Sequence, residues 1–303
     1  MGPTFGLKLS TVVIHRDPPF HVKPRVKGGR RLWTTDGKLR PVRDYRVHAS
    51  NAAAMWEALS KGYGALLVGT EEVRIVAPSP YHALRAIVLD PDANREKTVA
   101  AIVDTVLAES GLTRRVVEDA SGQLDLSRHG LEPRFRMTVM VRPPTQAVPA
   151  ASDDAVGPDV HVAAVTRLEH LAVAERILIS IFPPPSTGED PRGRIQPARV
   201  LEIPGWRLWL GYRGGVPAGT AYTYHDGTSL GVYQVGTLSE HRGHGVARAI
   251  VSAIVRAHPG DTISLTATDQ GRPLYEELGF EPVSAAVWWR PNHTGDDSGQ
   301  VLR

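Results

Sequence analysis

A chain of 303 residues, 42% hydrophobic and 22% charged, is long enough for two domains of ordinary size and has the balance of a globular protein. It contains no cysteine, which excludes a disulfide framework, a thiol nucleophile and a thiolate metal site; no metal is expected. The net charge of +3 hides an asymmetry, because residues 151–303 hold 13 Arg and no Lys against 17 Asp and Glu, leaving the whole basic excess in the first 150.

Residues 1–44 form a basic arm. Lys8, Arg16, Lys23, Arg25, Lys27, Arg30, Arg31, Lys38, Arg40 and Arg43 face only Asp17, Asp36 and Asp44, with Phe20, His21 and Trp33 interleaved. Such a segment can track a phosphate backbone and stack on bases, or it can be a solvated leader with a hairpin turning at Asp36-Gly37. The first residues are too short and too broken by Gly and Pro for a secretory core, and no apolar run is long enough to span a bilayer. A cytoplasmic chain without a membrane partner is expected.

Residues 45–145 echo the C-terminal half of the chain. Ala86–Val103 lies 148 residues before the segment ending at Val251, and His129–Pro133 (HGLEP) lies 149 before Leu278–Pro282 (LGFEP). Regular spacing over so long a stretch points to a duplicated fold. A linker rich in Pro, Ala, Ser and Asp runs through residues 146–158, and the second copy is expected over 159–292, with a frayed tail over 293–303.

The second copy opens with apolar residues at helical spacing from Val165 to Phe182, stopped by Pro183-Pro184-Pro185. A polar loop over 186–197 carries Glu189, Asp190, Arg192 and Arg194. Three strands are expected over 207–213, 218–225 and 229–237, separated by Gly214-Gly215 and Asp226-Gly227 turns. The last feeds a glycine turn and an amphipathic helix, Val246–His258. A strand at 262–267, a short helix carrying Tyr275 and closed by Gly279, and a final strand at 282–290 complete the copy.

The Arg242–Ala247 stretch, RGHGVA, is similar to the Arg/Gln-x-x-Gly-x-Gly/Ala signature of the GNAT N-acyltransferase superfamily, and Gly271–Phe280, GRPLYEELGF, resembles its second hallmark. Together they cover roughly the last 140 residues. The resemblance implies an α+β fold of two tandem GNAT-like domains, each a mixed, mostly antiparallel central sheet flanked by helices. It also implies a coenzyme site. The amides of Gly243, His244, Gly245, Val246, Ala247 and Arg248, with the charge of Arg242, would hold the diphosphate of acetyl-CoA or another acyl-CoA. Val235, Gly236 and Thr237 would pair with the pantetheine amides from a splayed strand, and Thr268 matches a position where many relatives place a cofactor-contacting Asn. Ser239 departs from the usual proline.

Tyr275 is the expected general acid for the departing thiolate. For the base, Gln234 stands where some relatives carry Glu, and His225 could titrate in the useful range. In the first copy Asn94, Arg95 and Lys97 stand opposite Arg242, Gly243 and Gly245, and Leu126 opposite Tyr275, so that copy has lost the chemistry. The expected function is N-acyl transfer from acyl-CoA to a small-molecule amine acceptor. Two alternatives stand beside it: amide formation from an aminoacyl-tRNA recruited by the basic arm, and a non-catalytic CoA-binding protein.

Overall fold

The computed structural model describes residues 44–61, 66–77, 79, 81–92, 94–107, 114–144, 156–184 and 188–292. Five α-helices and eleven strands are found among the described residues. The first half supplies α1 (Tyr45–Ser60), β1 (Leu66–Gly69), β2 (Val73–Val76), β3 (Leu84–Val88), α2 (Arg95–Ile102), β4 (Arg115–Asp119) and β5 (Leu131–Arg142). The second supplies β6 (Val160–Ala164), α3 (Leu168–Ile181), β7 (Trp206–Arg213), β8 (Val216–His225), β9 (Leu230–Thr237), α4 (Val246–Ala257), β10 (Ile263–Ala267), α5 (Arg272–Glu277) and β11 (Glu281–Pro291). Among the described residues no helix is long and apolar enough to cross a membrane.

The two expected sheets are joined into one, in the order β1-β2-β3-β4-β11-β5-β10-β9-β8-β7-β6. The halves exchange their last strands. β11 of the second half lies between β4 and β5 of the first, and β5 lies between β10 and β11. The long antiparallel pair β5–β11 at the centre runs from Glu281↔Val141 to Pro291↔Leu131, and on either side the order of parallel and antiparallel neighbours repeats. Only β3–β4 and β9–β10 are parallel among the described strands. Each exchange covers a strand edge that a separate domain would leave exposed, which is why Pro41–Arg303 forms a single compact unit.

Alternation along the strands divides the core between two faces. On one, α4 buries Val246, Ile250, Val251 and Ile254 against Trp209, Ala218 and Leu265; each fully buried aliphatic side chain contributes about 1.5–3 kcal/mol. Gly211 lets the helix come close, since a Cβ there would lie 2.9 Å from Ile250 Cδ1. On the other face α1 and α3 pack side by side, Met55, Trp56 and Leu59 joining Leu171, Ile177 and Leu178 over Leu208, Leu210 and Tyr222. Helix α3 ends at Ile181, just before the prolines that cannot continue it.

Candidate active site

The site begins where β9 and β10 part. Their parallel ladder contains only Leu230↔Ile263 and Gly231↔Ser264, although both strands continue, to Thr237 and Ala267. Beyond Gly231 the side of β9 facing β10 is therefore unpaired, the splay expected for Val235, Gly236 and Thr237. On its other side β9 still pairs with β8, but with a bulge: Tyr222↔Tyr233 is followed by Thr220↔Gly236, so Gln234 and Val235 oppose Ala221 alone. Gln234 takes the strain with φ of 48°, in the left-handed region. Gly236 is buried, and a Cβ there would lie 2.7 Å from Ile181 Cδ1.

At the open end of this fork the chain turns into α4. Gly243 and Gly245 have φ of 77° and 80°, a conformation that costs other residues roughly 1–2 kcal/mol. Arg242, Gly243 and His244 are exposed, and a Cβ on Gly243 would meet nothing within 4 Å. Gly245 caps α4 without a side-chain hydrogen bond, and none of the amides from Gly243 to Arg248 donates to an acceptor among the described residues. A row of unspent donors at the positive end of a helix suits a diphosphate. Thr237 Oγ1 and His241 Nδ1, where the strand meets the turn, are buried without partners among the described residues. Unsatisfied groups of this kind fit a site that a polar ligand completes.

Side chains around the turn divide by role. Arg242 Nε donates to Thr237 O at 3.3 Å, which ties the turn to β9. Arg248 is paired with Glu277 of α5. Val246 faces the core, so only its backbone is available to a ligand; Ala247 is half-buried. Thr268, exposed at the end of β10, accepts the Gly271 amide on its hydroxyl at 3.2 Å and starts α5.

Tyr275 is carried by that helix, its ring buried edge-on against Phe280 at 6.0 Å. Its hydroxyl has no partner among the described residues, and it is absent from the fully sealed polar atoms. Burial pushes its pKa up to about 12, so the phenol keeps its proton at neutral pH. Gly271, beside the ring, lies within reach of Thr268 as well, placing Tyr275 at the β10 end of the fork.

Residues 204–282 match a family model described as "Acetyltransferase (GNAT) domain". The chain carries a GNAT acetyltransferase domain. No curated protein matches the chain. Among solved structures it is similar to a GCN5-related N-acetyltransferase from Kribbella flavida, at 22% identity over 81% of this chain and 95% of that one, with a TM-score of 0.56. It is also similar to a GCN5-related N-acetyltransferase from Sphaerobacter thermophilus, at 18% identity over 82% and 93%, TM-score 0.51. A conserved protein of unknown function from Staphylococcus epidermidis shares 11% identity over 75% and 94%, TM-score 0.53. At these identities the likeness is one of fold.

Two expectations for the base do not survive the geometry of the GNAT domain. His225 pairs with Leu230 at the closed end of β9, and from there to the bulge at Gln234 is about 13 Å of extended strand. Its ring is occupied in the turn, accepting the Gly227 amide on Nδ1 at 3.0 Å and lying 3.3 Å from Asp261. Gln234 does lie at the fork, but as the bulge residue, and a neutral amide accepts no proton; its contribution is backbone geometry. The arm proposed to recruit tRNA, residues 1–44, falls outside the described residues except for Asp44. No group of three or more His, Cys, Asp or Glu side chains suited to a metal gathers among the described residues.

Among the described residues, the first half has no such opening between its parallel strands. Its β3–β4 ladder, counterpart of β9–β10, stays paired along all five residues from Leu84↔Arg115 to Val88↔Asp119. Its helix start is already satisfied, the Asn94 side chain accepting the Lys97 amide at 3.0 Å. Arg95 and Lys97, expected to crowd a diphosphate, are turned to Gln123 and Glu72. The fork is shut and the amide is capped. Glu175 of α3 is buried and accepts the amides of Ile195 and Gln196, from the loop that follows the helix, at 2.9 and 2.8 Å, and Tyr81 of the first half donates to Glu189 of that loop.

Proposed function

We propose that the chain is an N-acyltransferase that moves an acyl group, acetyl in the first instance, from acyl-CoA to the amine of a small molecule. In this reading residues 159–292 form the catalytic domain and residues 45–145 a degenerate copy in a supporting role. The carrying observation is the coincidence, at one end of β9, of an unpaired strand edge and a glycine turn whose amides are unspent. An extended amide-bearing arm can add to that edge as a strand while its diphosphate rests on the helix start.

The chemistry follows from that placement. The amine nitrogen attacks the thioester carbon, a C–N bond forms, and charge develops on the carbonyl oxygen near the bulge of β9, where the ladder leaves backbone unpaired. The C–S bond then breaks and Tyr275 donates its phenolic hydrogen to the departing sulfur, while the amine proton passes to water. Raising the phenol to about 12 keeps the donor in place but makes outright transfer harder, so a hydrogen bond in the transition state is the larger part of its work.

Calorimetric titration with coenzyme A, followed by thiol release from acetyl-CoA with a panel of amines, tests this function. Saturable binding and amine-dependent release support it. A chain that binds no coenzyme A refutes it, and binding without release for any acyl donor and amine leaves only a CoA-binding protein.

A further inference from the structure

Helix α1 belongs to the half that has lost the coenzyme site, yet its polar residues serve the half that keeps it. Asn51, fully buried, donates from Nδ2 to Tyr224 O at 3.2 Å, Ser229 O at 3.0 Å and Ser229 Oγ at 3.2 Å. Its Oδ1 accepts the hydroxyl of Tyr233 at 2.6 Å. One turn earlier on the same helix face, the buried His48 places Nδ1 3.3 Å from Ser264 Oγ. Asn51 thus ties together the end of β8, Ser229 just before β9 and Tyr233 of β9, while His48 touches β10 at Ser264, in the last pair before the strands separate. Gly231 makes room for the contact, since a Cβ there would overlap Asn51 Oδ1 and the Tyr233 hydroxyl.

The counterpart position is different. Across β3 and β4, Arg85 is bound directly to Glu118, the ladder is closed beneath them, and α3 packs on β7, β8 and β9 instead. Helix α1 also covers β3, where the Arg85 guanidinium lies 4.2 Å over the Trp56 ring; over the open fork it presents Asn51 and His48, and over the closed one Trp56 on a strand-to-strand ion pair.

We propose that α1 of the first half is the wedge that sets the opening between β9 and β10, with Asn51 and His48 as positioning residues for the coenzyme cleft of the second half. The inference rests on reading that fork as the coenzyme cleft, and it gives the degenerate half a reason to be retained. Burial lowers the His48 pKa to about 4, so the wedge is uncharged at neutral pH. Apolar residues of α1, Met55, Trp56 and Leu59 among them, hold it against the sheet.

The test measures coenzyme A affinity of the full chain by calorimetry for Asn51→Ala, His48→Gln, Tyr233→Phe and the Asn51→Ala/Tyr233→Phe pair. Ser60→Ala serves as a control that removes a different buried hydrogen bond of α1, from Ser60 Oγ to Trp56 O. The singles at Asn51 and Tyr233 are expected to weaken binding at least fivefold, the pair no more than the worse single, and Ser60→Ala less than twofold. In turnover the same variants raise KM for acyl-CoA and leave KM for the amine unchanged. Tyr233→Phe removes one oxygen and keeps the ring, so it reports even where Asn51→Ala fails to fold. Affinity within twofold of the unsubstituted chain for Tyr233→Phe, or an equal loss in Ser60→Ala, overturns the wedge. A chain that never binds coenzyme A overturns the function itself, a result told apart by the unsubstituted protein alone.

Discussion

Gly231 of β9 faces Ser264 of β10, and theirs is the last pair the two strands share. In the first half the equivalent strands stay paired to their ends. The contrast separates a strand pair that is only a piece of sheet from one that leaves a strand edge for a ligand. Gly231 stands where Asn51 and Tyr233 fill the space a side chain would take.

Gly231→Ala should therefore damage both fold and cleft. Overpacking at a site with no slack costs about 1–3 kcal/mol, and the methyl group displaces the Asn51–Tyr233 hydrogen bond. Urea denaturation should show a lower midpoint with an unchanged slope, and coenzyme A affinity should fall in parallel. A variant as stable as the parent would mean that the space over Gly231 is freer than it looks.

Gly245→Lys copies the residue of the first half into the glycine turn. The left-handed backbone, φ of 80°, resists the change by roughly 1–2 kcal/mol. A tenfold or greater loss of coenzyme A affinity, about 1.4 kcal/mol, is expected by calorimetry. Retained affinity would show that the turn does not hold the coenzyme.

Tyr275→Phe keeps the buried ring and removes the donor. Its expected signature is a kcat lower by roughly a hundredfold, the lower end of general acid catalysis, with coenzyme A affinity unchanged. Because burial holds the phenol proton up to about 12, the pH–rate profile of the parent should show no fall below about pH 10 that is missing in the variant. Equal kcat values would remove Tyr275 from the chemistry.

Stability should fall on the acid side of neutrality. His48 is buried and His82 half-buried, each with its pKa lowered to about 4 chiefly by desolvation, whereas in the unfolded chain each takes its proton near about 6.5. Between those values the unfolded state binds more protons. The stability from the neutral rings is complete above about pH 6.5 and is lost as pH falls towards 4, by up to about 3 kcal/mol for each ring. Denaturation midpoints at pH 7 and pH 4.5 decide the matter, and equal midpoints would contradict it.

The alternating strands, the helix stopped by Pro183 and the glycine turn at Gly243 and Gly245 were legible in the sequence because each depends on local physics: periodicity, φ preference and a missing side chain. So was the duplication, through spacing at 148 and 149 residues. Even α1 carries a readable apolar stripe in Ala49, Ala52, Ala53, Met55, Trp56 and Leu59. That Asn51 would meet Tyr233, 182 residues away, is written in no local pattern. It depends on α1 lying across strands of the other half. His225 stood out by residue type alone, whereas its engagement with the Gly227 amide and with Asp261 at the closed end of β9 comes from the fold. The sequence alone determined which segments could form a helix, a strand or a phosphate-sized turn, for these are properties of neighbouring residues. Only the tertiary structure decided that β5 and β11 would change places, that one fork would open and its counterpart close, and that α1 of the first half would lie across β9 and β10, because those outcomes rest on pairings between segments distant in the chain.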